Sequence, residues 1–462
     1  MKRFGASLVL GLVAAFASAA DQYFAIYLNG GKVGYSVSRE LKDGWSESET
    51  VFRSALMGQD LDMRIVSQTL ADKDGQPKEI RTTSESGGRT QVVTAKFAAK
   101  EIKVVINNAG TITERTLAIP PGAKVVEDAT SALILNGAGT TKSYKVHVLD
   151  VTTVTLIENE VTLDGPRKVE VFGKTYDATL VTVKDPRATS KIYYSAKGDV
   201  IKIEAALGMV MVPVTKEVAL ADITERTDLG ESAAIRVSPE IVRPFDLISV
   251  KYRVSNADLS RCPSDAYQTI AKNGADWIVS VHPIDRGRAR DETITEAARY
   301  AQKWLKPSLH IPARSPEFKR LSAGIVGGEK HVLAASERIS RWIERTMTSN
   351  AGIGVLRDAT EVLASKEGVC RDYAILGATL MRSAGIPTRV TSGLIYDNGQ
   401  MYYHAWDEVW SGKEWITYDP TRANQPTNAL RFKLAHGNVE DAFAFPVLQG
   451  CHFEIISTRY RS

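Results

Sequence analysis

From residue 23 to about 219 the chain runs as one short β-branched stretch after another. Residues 23–28 stop at Asn29-Gly30-Gly31 and residues 32–41 at Lys42-Asp43-Gly44. Residues 61–71 stop at Asp72-Lys73-Asp74-Gly75, and residues 101–107 near Asn108-Ala109-Gly110. Such runs predict strands, and the Asn-, Asp- and Gly-rich breaks between them predict hairpins. A second group covers 143–160, 167–172, 176–184, 191–196 and 200–205, punctuated by Asp164-Gly165-Pro166 and Lys197-Gly198-Asp199. This half carries one Trp, one His (His147) and no Cys, so it is poor in side chains that do chemistry. The pattern predicts an antiparallel sandwich or open barrel, in one or two parts, with a structural or binding role.

A short β-stretch at 247–254 leads into a half where the apolar period lengthens to that of a helix. Thr293-Ile294-Thr295-Glu296 has the order of a capping box, ahead of Ala297, Ala301, Trp304 and Leu305. Val332, Ala335, Ile339, Trp342 and Ile343 form a second apolar stripe, in which Trp342 reads as core. Six of the seven Trp fall between Trp277 and Trp415, so the aromatic core belongs to this half.

The first twenty residues stand apart. Lys2 and Arg3 precede an apolar or small run from Ala6 to Phe16, and Ala17-Ser18-Ala19-Ala20 supplies small residues before Asp21. That order is a secretory signal peptide, with an apolar core too short for a span of about 20 residues. The mature chain is expected to be periplasmic or secreted, without a transmembrane anchor. Its removal leaves 56 basic against 54 acidic residues, too small an excess to point to nucleic acid. The whole chain, 462 residues with 44% hydrophobic and 24% charged, is ordinary globular material of about three folding units. Arg286-Gly287-Arg288-Ala289-Arg290 could face an anionic surface, but Asp291 and Glu292 follow at once and favour a solvated loop. Gly137-Ala138-Gly139-Thr140-Thr141 lacks a third glycine and precedes a strand-like run, so it reads as a turn and not a phosphate loop.

Export alters the meaning of Cys262, Cys370 and Cys451, because an odd number of thiols in an oxidising compartment leaves at least one unpaired. Cys370 opens a helical run through Leu376, Leu380 and Met381 that closes at Gly385-Ile386-Pro387. At a helix N-terminus the unpaired N–H groups and the dipole favour an anion, which makes a thiol there a better nucleophile. The segment alone leaves a buried, inert cysteine equally open. Residues 404–410 and 413–419 read as two strands around Ser411-Gly412. A two-residue turn would set Trp410 opposite Lys413 and His404 opposite Asp419, on one face and within reach. A base for the thiol proton and a carboxylate to hold the imidazole are what such chemistry needs. Trp406 and Glu408 share that face, and Trp406 is a candidate water shield and substrate contact.

Gly368-Val369-Cys370-Arg371-Asp372-Tyr373-Ala374, Arg382-Ser383-Ala384-Gly385-Ile386-Pro387-Thr388-Arg389, His404-Ala405-Trp406 and Tyr418-Asp419-Pro420-Thr421 together resemble the transglutaminase-like superfamily. The resemblance is specific over about 332–422, weaker over 247–330, and gives no family for 21–235. It implies a papain-like α+β core with Cys370 as nucleophile, His404 as base and acid, and Asp419 as orienter. With Cys370 kept reduced for that role, Cys262 and Cys451 remain, and a disulfide between them is expected. No metal-ligand spacing, nucleophile elbow or Lys-bearing phosphate loop competes, so neither metal nor cofactor is expected.

The reading is a multidomain chain: a signal peptide (1–20), an antiparallel all-β region (21–235), a connecting β/α segment (236–330), an α+β papain-like transglutaminase-type core (331–425) and a C-terminal extension on it (426–462). Its expected activity is attack on an amide of a protein or peptide, possible cell-envelope components included, through a thioester acyl-enzyme. Hydrolysis is favoured over amine transfer, since excluding bulk water demands a dry tunnel. The rival reading from another class is an envelope-binding module with a vestigial triad.

Overall fold

The computed structural model describes residues 21–461, apart from 57, 73–74, 109, 131–142, 224–225 and 449. The first twenty residues and the Gly137-Ala138-Gly139-Thr140-Thr141 segment lie outside the described residues. The chain divides into two compact units: residues 21–232 with Gly352–Leu356, and Ala233–Ala351 with the chain from Arg357 onward.

In the first unit alternation does the work. The strand Glu101–Asn108 buries Ile102, Val104 and Ile106 and turns the residues between them outward, the period of two that a half-buried strand requires. Among the described residues fifteen strands form one sheet of two meanders, from Gln22–Leu28 to Thr111–Ala118 and from Val125–Val126 to Met209–Pro213. The first strand pairs antiparallel with the last, Phe24 opposite Pro213 and Leu28 opposite Met209. The β-rich half is therefore one continuous open sheet, with Thr111–Ala118 and Val125–Val126 as its edges.

Two local expectations change. The run 143–160 is two strands, Ser143–Asp150 and Thr155–Val171. Asp150 Oδ1 makes the turn between them by accepting from the N–H groups of Thr152 (2.8 Å) and Thr153 (3.2 Å), so no Gly or Pro marks it. Asp164-Gly165-Pro166, in contrast, is no turn. It lies inside Thr155–Val171, where the pairing shifts between Leu163 and Gly165 and Gly165 takes φ +86°. A glycine with positive φ inside a strand is the mark of a bulge.

The second unit is α+β. Its first strands are β1 (Ile235–Ser238), β2 (Leu247–Ser255), β3 (Gln268–Asn273) and β4 (Asp276–Val281). Helices follow: α1 (Ile294–Tyr300), α2 (Pro316–Val326), α3 (Val332–Thr346), α4 (Ala359–Ser365) and α5 (Cys370–Ser383). The other strands of the main sheet are β5 (Thr388–Asp397), β6 (Gln400–Trp410), β7 (Trp415–Tyr418), β8 (Arg431–Gly437) and β9 (His452–Tyr460). They hydrogen-bond in the order β3-β4-β2-β9-β1-β6-β5-β8, with β7 on β6.

The capping box of α1 is formed in both directions: Thr293 Oγ1 accepts from the Glu296 N–H (3.3 Å) and Glu296 Oε2 from the Thr293 N–H (3.2 Å). The helix stops at Tyr300, and Gln302–Leu305 continues as a 3₁₀ turn. On α3, Val332, Ala335, Ile339 and Ile343 are fully buried, and Trp342 is half-buried at the edge of that stripe. Helix α5 is buried from Cys370 to Arg382 and packs across β6 and β5, with α2, α3 and α4 against it. Its end is a Schellman closure: Ile386 N–H reaches Met381 O (2.9 Å), and Gly385 takes φ +85°. The β5–β6 hairpin turns on Asn398-Gly399, both at positive φ, the dipeptide suited to a two-residue turn.

Beneath this sheet lies a buried ionic cluster. Lys433 Nζ donates to Asp265 Oδ2 and Glu408 Oε1, both 2.7 Å, and Arg389 Nε donates to Glu408 Oε2 at 2.7 Å. Two cations and two carboxylates balance, as buried charge requires. His436 Nε2 lies 3.1 Å from Arg389 Nη1, and burial together with that guanidinium lowers the imidazole to about 4.

Gly393 of β5 sits directly opposite His404 of β6. A Cβ there would lie 2.0 Å from the backbone oxygen of Phe432 and 2.9 Å from the Trp406 ring. Gly393→Ala is expected to cost about 1–3 kcal/mol in chemical denaturation. Gly324→Ala, on α2 with nothing within 4 Å of the new methyl, is expected to gain about 0.5–1 kcal/mol.

Candidate active site

Cys370 is the first residue of α5 and is buried. Helix α5 lies over β6, the strand that carries His404. Asp419 follows the last residue of β7. His404 Nε2 and Asp419 Oδ2 are 2.7 Å apart.

That contact arises from a different register than the one expected. Trp410 faces Trp415 and Asp407 faces Tyr418, so residues 411–414 form a four-residue connection in place of a two-residue turn. His404 and Asp419 are consequently not direct cross-strand partners. The slip is by two places, an even number, so each side chain stays on its face and the pair still meets diagonally.

Asp419 is fully occupied. Oδ2 also accepts from Arg431 Nη2 (2.6 Å) and Nε (3.2 Å), while Oδ1 accepts from Thr421 Oγ1 (2.6 Å) and N–H (3.0 Å). Burial pushes this carboxyl up, but His404, Arg431 and Thr421 outweigh it and hold the group well below the usual carboxylate range. Burial acts on His404 in the opposite sense: it lowers the imidazole to about 4 even though Asp419 favours the charged form. The ring is neutral at neutral pH, with Nε2 turned to the carboxylate.

Two members of this arrangement escaped the sequence. Thr421, two residues beyond Asp419, does have a signal, because an Asp whose side chain bonds two residues on is an Asx turn. Arg431 has none: it arrives from β8, two strands away across β5, and only the sheet order brings it in. Arg286, expected in a solvated loop, instead lies 4.4 Å over the Tyr418 ring with Nε donating to Thr417 O (3.3 Å). Its neighbours Arg288 and Arg290 are exposed.

Trp406 is wholly buried, its ring 5.9 Å from the buried His404 imidazole. One more expectation is corrected. Cys262, Cys370 and Cys451 are all buried and none is in a disulfide, so the expected Cys262–Cys451 bridge is not formed. Cys262 sits in a loop closed by its own N–H to Leu259 O (3.0 Å), whereas Cys451 precedes β9, where His452 faces Ser255. Burial pushes both of these thiols up to about 12.

Residues 319–420 match the family model of the transglutaminase-like superfamily. This stretch is a transglutaminase-like domain. It contains α2 to α5, Cys370, His404 and Asp419. An uncharacterized protein of Mycobacterium leprae (strain TN) is 34% identical over 101 residues, which is 20% of this chain. The match spans about a third (34%) of the length of that curated relative. Among solved structures, a candidate cysteine protease from Cytophaga hutchinsonii aligns with 46% of this chain and 89% of its own, at 19% identity and TM-score 0.34. A beta-barrel-like protein of unknown function from Brucella abortus aligns with 42% of this chain and 96% of its own, at 16% identity and TM-score 0.32. No helix among the described residues is long and apolar enough to cross a membrane.

Another buried carboxyl of the transglutaminase-like domain is Asp407 of β6. It is fully buried, neither oxygen has a hydrogen-bond partner, and it presses on α5 where a Cβ at Gly377 would lie 2.1 Å from Oδ2. Burial first, then the nearby Asp419, raise this carboxyl well above its ordinary 3.8, against a smaller opposing pull from Arg382. The folded state therefore holds a proton that the unfolded state releases. Stability is complete below the unfolded value and declines as pH rises toward the folded one. Asp407→Asn removes the effect. In urea melts the variant is expected to match wild type near pH 4 and then to lead it by up to about 1.4 kcal/mol per pH unit.

Proposed function

We propose that the transglutaminase-like domain is a thiol enzyme acting on amides of protein or peptide substrates, with Cys370 as nucleophile, His404 as general base and acid, and Asp419 as orienter. The observation that carries this reading is the His404–Asp419 bond with Asp419 locked by Arg431 and Thr421. A carboxylate so fixed sets one tautomer and one ring orientation. With Nε2 committed to Asp419, Nδ1 is the nitrogen that exchanges the thiol proton.

The steps balance as follows. His404 takes the Cys370 proton as the sulfur attacks the amide carbon. The C–N bond breaks, His404 returns the proton to the departing amine, and a thioester remains. Water then gives a proton to His404, attacks the thioester and releases a carboxylic acid and the thiol. Hydrolysis is the proposed outcome, and an amine in place of water would give transfer. Export of the chain, suggested by residues 1–20, would place the substrate outside the cytoplasm.

Iodoacetamide labelling read by peptide mass tests the assignment, since Cys262 and Cys451 serve as internal controls. At pH 7 Cys370 is expected to label while those two, raised to about 12, do not. His404→Ala is expected to slow Cys370 labelling at least tenfold, the low side of the roughly 10²-fold or more that a lost base costs. With a cleavable peptide, the acid limb of kcat/KM is expected near pH 4, where the imidazole becomes charged and cannot accept a proton. Labelling of Cys370 no faster than of Cys262, and unchanged by His404→Ala, would exclude the enzyme.

A further inference from the structure

We propose that Arg357 is a positioning residue for the nucleophile, acting through Asp372 to set both the place and the local charge of the Cys370 turn. This rests on Cys370 being the nucleophile and extends the machinery beyond Cys370, His404 and Asp419.

Arg357 precedes α4 and is wholly buried. Its guanidinium spends every nitrogen on residues 365–372, the segment around Cys370. Nη1 donates to Ser365 Oγ (2.9 Å), Nη2 to the Glu367 carbonyl (2.7 Å), and Nε to Asp372 Oδ1 (3.3 Å), with Nη2 also 3.2 Å from that oxygen. The other oxygen of Asp372 turns back and accepts from the Val369 N–H (2.9 Å), the residue before Cys370. Arg357 and Asp372 thus grip residues 365–372 from two sides. Gly368 is the space that permits it: a Cβ there would lie 2.5 Å from both Cβ and Oδ2 of Asp372 and 2.8 Å from Arg357 Nη2.

An acidic residue three positions after an N-cap needs no buried cation to bond a backbone N–H. The guanidinium is costly to desolvate, and its presence needs a further reason. Asp372 lies two residues beyond Cys370, and a bare carboxylate there would oppose a thiolate. Opposite charge within about 4–6 Å favours an ionised form and like charge disfavours it. Arg357 cancels Asp372, so the helix N-terminus keeps its preference for an anion at the sulfur.

The other charged groups around the turn are accounted for. Arg371 Nε is 3.8 Å from Asp372 Oδ1, Glu367 Oε2 accepts from Asn350 Nδ2 (3.0 Å), and Arg422 interacts with both Asp419 and Cys370. None of these duplicates the bonds that Arg357 makes to Ser365 and Glu367.

The experiment measures the rate of Cys370 alkylation against pH in the full chain for wild type, Arg357→Gln, Asp372→Asn and the double variant, beside a thermal melt of each. Arg357→Gln removes the hydrogen-bonded cation of Asp372 and leaves only Arg371 at 3.8 Å, and it is expected to move the labelling midpoint up by about one pH unit at most. Asp372→Asn leaves a bare guanidinium and is expected to move it down, and the double variant to return near wild type. A purely structural role would lower Tm in every variant with no opposite-signed movement of the midpoint, and that result overturns the proposal. If Arg357→Gln does not fold, Asp372→Asn alone decides, by a lowered or an unmoved midpoint. Failure of the underlying enzyme reading is distinct, because wild-type Cys370 would then label no faster than Cys262.

Discussion

The second unit is organised around a carboxylate that cannot move. Asp419 is buried, and both its oxygens are taken by donors from three places: the β6 strand through His404, the β8 strand through Arg431, and its own turn through Thr421. Burial of a charge is tolerable only when it is paired and hydrogen-bonded. The requirement runs outward from there. Arg431 reaches Asp419 only if β8 lies beside β5, and His404 only if β6 keeps its face; α5 lies across β6 and β5.

Much of this was legible in the chain. The helix that begins at Cys370 shows its apolar run through Leu376, Leu380 and Met381 and its Gly-Ile-Pro end, and residues 404–410 read as a strand. Those signals are local. What the sequence did not carry is register: the length of the β6–β7 connection is a matter of loop geometry, and Ser411-Gly412 looks like a complete turn. Periodicity of two forgave the error, since an even slip returns each residue to its face. The Cys262–Cys451 pairing rested on elimination alone, and both thiols are free.

The β-rich unit shows the same division. Its strands were plain from β-branched runs, yet its topology depends on a pairing between Gln22–Leu28 and Met209–Pro213, nearly two hundred positions apart. No local pattern encodes such a contact. Within the meanders the misread points were Asp164-Gly165-Pro166 and Asp150. A glycine in a bulge carries the composition of a turn, and an aspartate that folds its own turn carries none.

The ionic cluster under the sheet has an evolutionary consequence. Lys433, Glu408, Arg389 and Asp265 come from β8, β6, β5 and the approach to β3, and each side chain answers at least one of opposite sign. Loss of any one member leaves the other three one charge out of balance, a cost that falls mainly on the buried Lys433, Glu408 and Arg389. Single-step drift at these positions is therefore blocked, while a simultaneous exchange of the set for apolar residues of similar volume is permitted. In a lineage of related chains the four positions should change together or not at all. They would form a covarying block around a site whose chemistry they never touch.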